Sequence, residues 1–286
     1  MVSAGYFVAH SAKLIAQRRS FQRALHAWYR VYQRQLPWRI APSLYKTVVS
    51  EFMLQQTQVK TVLPYFDRWL HALPDFTALA AAPESQVMKL WEGLGYYSRA
   101  RNLHKLAQQI TALPTPPRTP AQWRELPGIG PYTAAAIASI AYGLPYPVVD
   151  SNVARVGARL WCIMADTRTP RVQRDLERRL LDAVGRSGDP SAFNQALMEL
   201  GALVCRPRDP LCTTCPLRAN CRALATGRTA DLPVRRPAAR VPHYHVAVGI
   251  VEHEGRVLIA RRAEDQMLGG LWEFPGGKQE KGEKPA

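Results

Sequence analysis

The chain has 286 residues, of which 47% are hydrophobic, so it is long enough for two domains with buried cores and is not a disordered chain. Its 38 Lys and Arg against 22 Asp and Glu give a formal charge of +16. This excess favours a polyanionic partner, nucleic acid above all, with a merely soluble basic protein as the alternative. No apolar run approaches the ~20 residues of a membrane span, and no cleavage site is evident near the N-terminus, so neither a membrane span nor a secretory signal is expected.

The first part of the chain has a helical pattern. From residue 20 to about 225, apolar side chains such as Phe21, Leu25 and Trp28 recur every three or four residues. Pro and Gly separate the periodic segments and end the helices between them. The pattern predicts an all-α domain of roughly ten helices.

The pattern changes after this domain. Residues 226–242 are rich in Pro and Arg, which is typical of an extended linker. Residues 245–252 and 256–262 then alternate apolar and polar side chains around Glu254-Gly255, which predicts a β-hairpin. We therefore expect a helical domain at 1–225, a linker at 226–242 and part of an α+β domain at 243–286. This last part is too short for its own core, so we expect a fragment.

Four of the five cysteines form a metal-ligand pattern. They read C-x6-C-x2-C-x5-C, and four thiolates so close together can surround one cluster or one tetrahedral metal ion. Zinc sites usually contain two C-x2-C pairs, whereas this loop contains one, so an iron–sulfur cluster is favoured over zinc. Cysteines crowded into one metal-ligand pattern are not typical of a disulfide scaffold, so a protein of the reducing cytoplasm is favoured over a secreted one. The four ligands would be Cys205, Cys212, Cys215 and Cys221.

The neighbourhood of these cysteines adds two expectations. Arg206, Arg208 and Arg218 lie in the same loop, where they could meet DNA phosphates. The fifth cysteine, Cys162, stands in an apolar stretch and is expected in the core.

Residues 126–130 read L-P-G-I-G between two predicted helices. Gly128 and Gly130 permit positive φ and a close approach of the backbone to a ligand, so that free N–H groups at a helix N-terminus can bind a phosphate. This resembles a helix–hairpin–helix DNA-binding element, although an ordinary helix–helix turn is the alternative. Asp150 follows in the segment V-D-S-N-V-A-R at 149–155.

Further segments point to a family. Residues 50–59, S-E-F-M-L-Q-Q-T-Q-V, resemble a signature of the MutY-type glycosylases of the endonuclease III superfamily, and L-P-W-R at 36–39 and G-L-G-Y-Y-S-R-A-R at 93–101 resemble two more of its motifs. With the hairpin and the cysteine loop, five motifs occur in the family's order between about 20 and 225. The cysteine spacing resembles the family's [4Fe–4S] loop. One departure is Ser151, where the family usually has Gly, and it weakens any requirement for positive φ there.

This resemblance implies a monofunctional DNA glycosylase. It would hydrolyse the N-glycosidic bond of adenine opposite 8-oxoguanine or guanine in double-stranded DNA, acting as a monomer in the cytoplasm, on the nucleoid if the source is bacterial. The adenine must leave the stack to be reached. Gln56, helped by Leu54 and Gln55, would wedge into the gap, and Tyr96 would stack beside the damaged base. Trp38, Arg39 and Glu199 would line the pocket.

The resemblance also assigns the chemistry. Glu51 would protonate adenine N7, which requires a carboxyl group that keeps its proton near neutral pH, and its apolar neighbours favour this. Asp150 would stay ionised and stabilise the oxocarbenium-like sugar, directly or through a transient covalent adduct. Asn152 would orient Asp150, and Tyr132 would approach the same centre.

The last residues, 272–283, resemble the opening of a Nudix box. MutY-type enzymes carry a Nudix-like domain that reads 8-oxoguanine, so a recognition module is expected here. Three alternatives stay open. An endonuclease III-like glycosylase and lyase for oxidised pyrimidines would need a lysine nucleophile where Tyr132 stands. The others are a Nudix hydrolase of free nucleotides and a non-enzymatic DNA-binding protein.

Overall fold

The computed structural model describes residues 20–234, 242–263, 266, 269–280 and 282–283. Residues 1–19 of the predicted first domain, residues 235–241 of the predicted linker and Lys281 of the Nudix-like segment lie outside this part. Within it, helix α1 covers 20–32. It is followed by α2 (Leu44–Leu54), α3 (Val59–Ala72), α4 (Phe76–Ala81), α5 (Glu84–Trp91), α6 (Ser98–Ala112), α7 (Pro120–Trp123), α8 (Pro131–Tyr142), α9 (Ser151–Trp161), α10 (Pro170–Gly185), α11 (Pro190–Leu203) and α12 (Arg222–Ala225). The predicted all-α fold of this part of the chain is confirmed.

Local sequence explains where several helices begin. Thr119 and Gln122 form a capping box at α7, and Asp150 and Asp189 accept backbone N–H groups at the starts of α9 and α11. Proline occupies the first helical position of α7, α8, α10 and α11, where its missing N–H and fixed φ do no harm. In the part of the chain that the structure describes, no helix is long and apolar enough to cross a membrane.

The helices bury two main cores. The larger contains Phe52, Trp69 and Trp91 and packs α2 to α8 together. The smaller contains Leu25 and Phe193 and joins α1, α9, α10 and α11. Helix α8 contacts both α2 and α11, so it lies where the two cores meet. A cleft between the two cores therefore has rigid walls.

The C-terminal part contains short antiparallel strand pairs with exposed side chains. Strands β1 (Val246–Val248) and β6 (Gly276–Lys278) pair, β2 (Glu252–His253) pairs with β3 (Arg256–Val257), and β4 (Ala260–Arg261) pairs with β5 (Trp272–Glu273). The predicted hairpin is present at β2 and β3, and Glu254 and Gly255 have φ of 49° and 69°, as its tight turn requires. The expected strand over 245–252 is interrupted, because 246–248 pairs instead with the distant residues 276–278.

Candidate active site

A cavity of about 1300 Å³ opens between the two cores. Its walls come from the loop after α1, from α2, from the starts of α8 and α9, and from α11. Tyr96, Gly128 and Gly130 are not among the residues that line it. The predicted site residues that do line it are Trp38, Arg39, Glu51, Leu54, Gln55, Gln56, Tyr132, Asp150, Asn152 and Glu199.

Glu51 lies on α2 and is 7% exposed. Burial among apolar neighbours raises the pKa of its carboxyl group to about 7; a hydrogen bond with Tyr132 opposes the rise, and the nearby charge of Asp150 adds to it. The group therefore holds a proton near neutral pH and still faces the cavity. These are the two requirements for a general acid.

Asp150 is the residue that caps α9. Its Oδ1 accepts the N–H of Val153 at 2.7 Å, and its Oδ2 accepts Nδ2 of Asn152 at 2.7 Å. Burial raises the pKa of Asp150, whereas these hydrogen bonds and the charge of Arg155 oppose the rise. Because both oxygens accept hydrogen bonds at the positive end of a helix, the ionised form is favoured here more than at Glu51.

Asn152 is held in turn by Arg155. The Nη2 of Arg155 donates to Oδ1 of Asn152 at 2.8 Å, which fixes the amide so that its Nδ2 points to Asp150. The Nε of Arg155 donates to the main-chain oxygen of Cys205 at 2.8 Å. The cysteine loop and the carboxylate are thus joined by one chain of hydrogen bonds. No sequence motif predicted this role of Arg155.

Glu199 forms ion pairs with two arginines at the cavity wall. It is 1% exposed and accepts Nε and Nη2 of Arg34 at 2.7 and 2.8 Å and Nη2 of Arg39 at 3.0 Å. Burial alone would raise its pKa, but the two guanidinium groups hold that pKa at about 2. Arg34 was not predicted. Trp38, in the same loop, packs edge-on against Phe66 with ring centroids 5.2 Å apart.

Tyr132 stands in the first turn of α8, two residues after the L-P-G-I-G segment. Its hydroxyl contacts Sδ of Met198 at 3.7 Å. Burial, and then the charge of nearby Glu51, raise the pKa of Tyr132 well above its usual value. Gly128 has φ of 76°, and a Cβ there would lie 2.8 Å from Phe52. Gly130 differs from the expectation: its φ of −87° is open to any residue, because it is the extended cap of α8.

Gln56 and Tyr96 occupy two exposed turns. Both have left-handed backbones, with φ of 58° and 48°, and Tyr96 is 56% exposed. Gln55 ends α2, and its Nε2 donates to Oγ1 of Thr133 at 3.3 Å. The predicted wedge therefore lines the cavity and its central residue, Gln56, is exposed, while Tyr96 lies outside the cavity lining.

The four cysteines of the loop line one small second cavity. None is in a disulfide, and Nη1 of Arg159 donates to Sγ of Cys205 at 3.4 Å. Burial raises the pKa of Cys215 to about 11. Among the described residues, no group of three or more His, Cys, Asp or Glu side chains is placed to hold a metal ion. The four thiols therefore share one cavity, but their sulfur atoms are not arranged around a common centre.

Other predictions for this region have mixed outcomes. Arg208 and Arg218 are exposed, as phosphate contacts require, whereas Arg206 is half-buried and donates to the main-chain oxygen of Asp209. Cys162 was expected in the core, but it is half-buried and ends α9 with φ of 51°. Ser151 is the first residue of α9, so positive φ is not required there.

Comparison with known proteins agrees with this geometry. Residues 49–180 match the model of the HhH-GPD superfamily base excision DNA repair proteins, and residues 246–286 match a NUDIX domain. A thermostable thymine-DNA glycosylase superposes with a TM-score of 0.66 at 25% identity, covering 74% of this chain and 99% of that one. Endonuclease III bound to DNA gives 0.61 at 22% identity, covering 74% and 97%. The helical part thus has the fold of the helix–hairpin–helix base-excision DNA repair proteins.

Curated relatives define the family more narrowly. The chain is 38% identical to the adenine DNA glycosylase of Rattus norvegicus, over 91% of this chain and 61% of the relative. For those of Schizosaccharomyces pombe and Buchnera aphidicola subsp. Baizongia pistaciae the identities are 35% and 32%, over 89% of this chain and 68% and 73% of the relatives. The chain belongs to the adenine DNA glycosylase family. It spans about three fifths of the rat relative.

Proposed function

We propose that this protein hydrolyses the N-glycosidic bond of adenine in double-stranded DNA, in an adenine:8-oxoguanine or adenine:guanine pair. One observation carries the proposal: two carboxyl groups face a single cavity in opposite environments. Glu51 lies among apolar side chains, and Asp150 is held by hydrogen-bond donors. Such a difference allows one carboxyl group to be protonated and the other to be ionised at the same pH.

The two groups would act in sequence on an extruded adenine. Glu51 gives its proton to N7, so the C1′–N9 bond breaks with its electron pair leaving on neutral adenine. The sugar becomes an oxocarbenium-like cation, and the carboxylate of Asp150 stabilises it. Water then adds to C1′ and releases a proton, which restores the acid at Glu51. Tyr132 and Asn152 hold these carboxyl groups in place.

The residue at position 132 also distinguishes simple hydrolysis from the alternative lyase reaction. Endonuclease III-like cleavage of the DNA backbone needs an amine nucleophile at this point of the hairpin. Tyr132 has no amine and, with its pKa raised, keeps its hydroxyl proton. A single hydrolytic step is therefore proposed. The helical domain at 1–225 would perform it, and the Nudix-like segment at 243–286, joined by the linker at 226–242, would contribute to reading 8-oxoguanine.

We further propose that Cys205, Cys212, Cys215 and Cys221 hold a [4Fe–4S] cluster. Four thiols free of disulfides line one cavity and are the ligand type that such a cluster takes, and Arg159 at the sulfur of Cys205 would complement its negative charge. When bound, the cluster would fold the loop that carries Arg208 and Arg218 towards DNA phosphates. We expect the protein to act as a monomer in the cytoplasm, where DNA is its partner.

The decisive experiment is strand cleavage after alkali treatment of duplexes containing adenine:8-oxoguanine, adenine:guanine or thymine glycol. Cleavage of the first two, and only after alkali, supports a monofunctional adenine glycosylase. Cleavage of the thymine glycol duplex without alkali would support the lyase instead. Glu51→Gln is the matched control, because it keeps the size and hydrogen bonding of the side chain but cannot deliver a proton.

A further inference from the structure

A buried arginine, Arg99 in the first turn of α6, joins the two exposed turns described above. It is 6% exposed, and its terminal nitrogens donate to six uncharged oxygens. Nη1 reaches the main-chain oxygens of Phe52, Met53 and Gln55 at 3.0, 2.8 and 2.6 Å. Nη2 reaches Oγ1 of Thr57 at 3.1 Å and the main-chain oxygens of Leu94 and Gly95 at 3.2 and 3.1 Å.

These acceptors belong to two segments far apart in sequence. We call residues 52–58 the wedge segment and residues 93–97 the stacking turn. The carbonyls at the end of α2 have no partner within the helix, and a planar guanidinium with a fixed fork of donors can satisfy several at once. The same fork bonds the stacking turn, so one side chain fixes the distance between the two segments.

Both segments have backbones that need external support. The left-handed φ of Gln56 and of Tyr96 is unfavourable for residues with a Cβ. Arg99 bonds to the residues on either side of Gln56 and to the residue before Tyr96. Its guanidinium carbon also lies 5.3 Å from the Tyr96 ring centroid. The hydrogen bonds of Arg99 are therefore adjacent to the two residues with an unfavourable backbone conformation.

We propose that Arg99 is a positioning residue for base extrusion, which holds the wedge segment and the stacking turn as one preformed unit so that Gln56 and Tyr96 enter the duplex together. This rests on the proposed function. Arg99 is buried behind both segments and acts through them without touching DNA. Two turns ordered in advance lose little freedom on binding, which leaves more of the binding free energy for opening the stack.

The test measures extrusion separately from bond cleavage. A duplex carries 2-aminopurine in place of the target adenine, opposite 8-oxoguanine, and its fluorescence rises when the base leaves the stack. Arg99→Lys keeps the charge, but a single ammonium group cannot span six acceptors in two segments. In a Glu51→Gln background we expect the rate of the fluorescence rise to fall by up to about tenfold, and the duplex affinity to change less. Ordering one side chain in advance contributes up to about that factor.

Two further variants make the result interpretable. Leu79→Ala opens a cavity in the same core, on α4 and outside both segments, so it destabilises the fold without removing any of the six hydrogen bonds. We expect it to extrude at the parental rate at a temperature where it is folded. Thr57→Val removes one acceptor only and should slow extrusion less than Arg99→Lys, which keeps the idea testable if the lysine variant does not fold.

Unchanged extrusion in Arg99→Lys, or in Thr57→Val if the lysine variant is unfolded, would overturn the inference. Equal slowing by Leu79→Ala would also overturn it, because general destabilisation would then explain the effect. The proposed function fails on different grounds, namely the absence of adenine release by the wild-type protein in the alkali assay. A fluorescence rise needs no bond cleavage, so the two failures are separate observations.

Discussion

Replacing Glu51 by glutamine should slow adenine release and should make the stability of the fold depend less on pH. The substitution keeps a polar side chain of the same size in the cavity but removes the transferable proton. Adenine release should fall at least about 100-fold, the usual contribution of a general acid, while duplex binding persists. In the wild-type protein the single-turnover rate should fall as pH rises through about 7, because the acid then loses its proton.

The effect on stability follows from the same pKa. The pKa of Glu51 rises from 4.5 in the unfolded chain to about 7 on folding. The unfolded state therefore releases this proton first, and the free energy of unfolding decreases as pH rises, until it levels off above the folded pKa. Between pH 6 and pH 8 the decrease is about 1 kcal/mol, or about 3 °C in melting temperature for a domain of this size.

Glutamine does not titrate, so the variant lacks this decrease. Its melting temperature relative to wild type should increase by about 3 °C between pH 6 and pH 8, as measured by circular dichroism in the same buffers. All other titrating groups are shared by the two proteins and cancel in the difference. Parallel melting curves over this pH range would refute the reasoning, since they would mean that Glu51 is already ionised in the folded protein at pH 6.

Other substitutions test other parts of the site. Gly128→Ala should cost about 1–3 kcal/mol of stability because it forces a left-handed alanine against neighbouring side chains, whereas Gly130→Ala should be nearly neutral; urea unfolding compares them. Cys212→Ser should abolish the visible absorbance and the iron content of protein purified without oxygen, and stoichiometric zinc in the parent would contradict the cluster. Glu199→Gln, which weakens the pairing of Arg34, should destabilise by about 2 kcal/mol at pH 7, and the difference should shrink as pH falls towards 2; an unchanged difference would contradict the ion pair.

The contiguous motifs predicted the core of the site. Glu51 and Asp150 each lie within a short motif, and the cavity does contain both. Arg34 was missed because its partner, Glu199, is 165 positions away, so no local pattern records their contact. Arg155 stood inside the segment 149–155, but only the packing of α9 against the cysteine loop reveals what it holds.

Backbone predictions failed where tertiary structure overrode a local signal. The two glycines of L-P-G-I-G look equivalent in sequence, yet only Gly128 is left-handed, because Gly130 already forms the cap of the next helix. Cys162 ends α9 in a left-handed conformation, a place usually marked by Gly or Asn, so nothing in the sequence indicated it. The alternation of apolar and polar side chains predicts a strand but not its partner, so it could not predict that 246–248 pairs with 276–278.

Asp150 caps α9, so under the proposed mechanism folding and chemistry select the same residue for different reasons. Asn and Ser also begin helices well, so either should preserve much of the helix and of the cellular abundance of the protein. Neither carries the negative charge that a sugar cation needs. A mutational scan that counts surviving protein would therefore tolerate three residues at this position, whereas a scan that counts repaired DNA would retain aspartate alone.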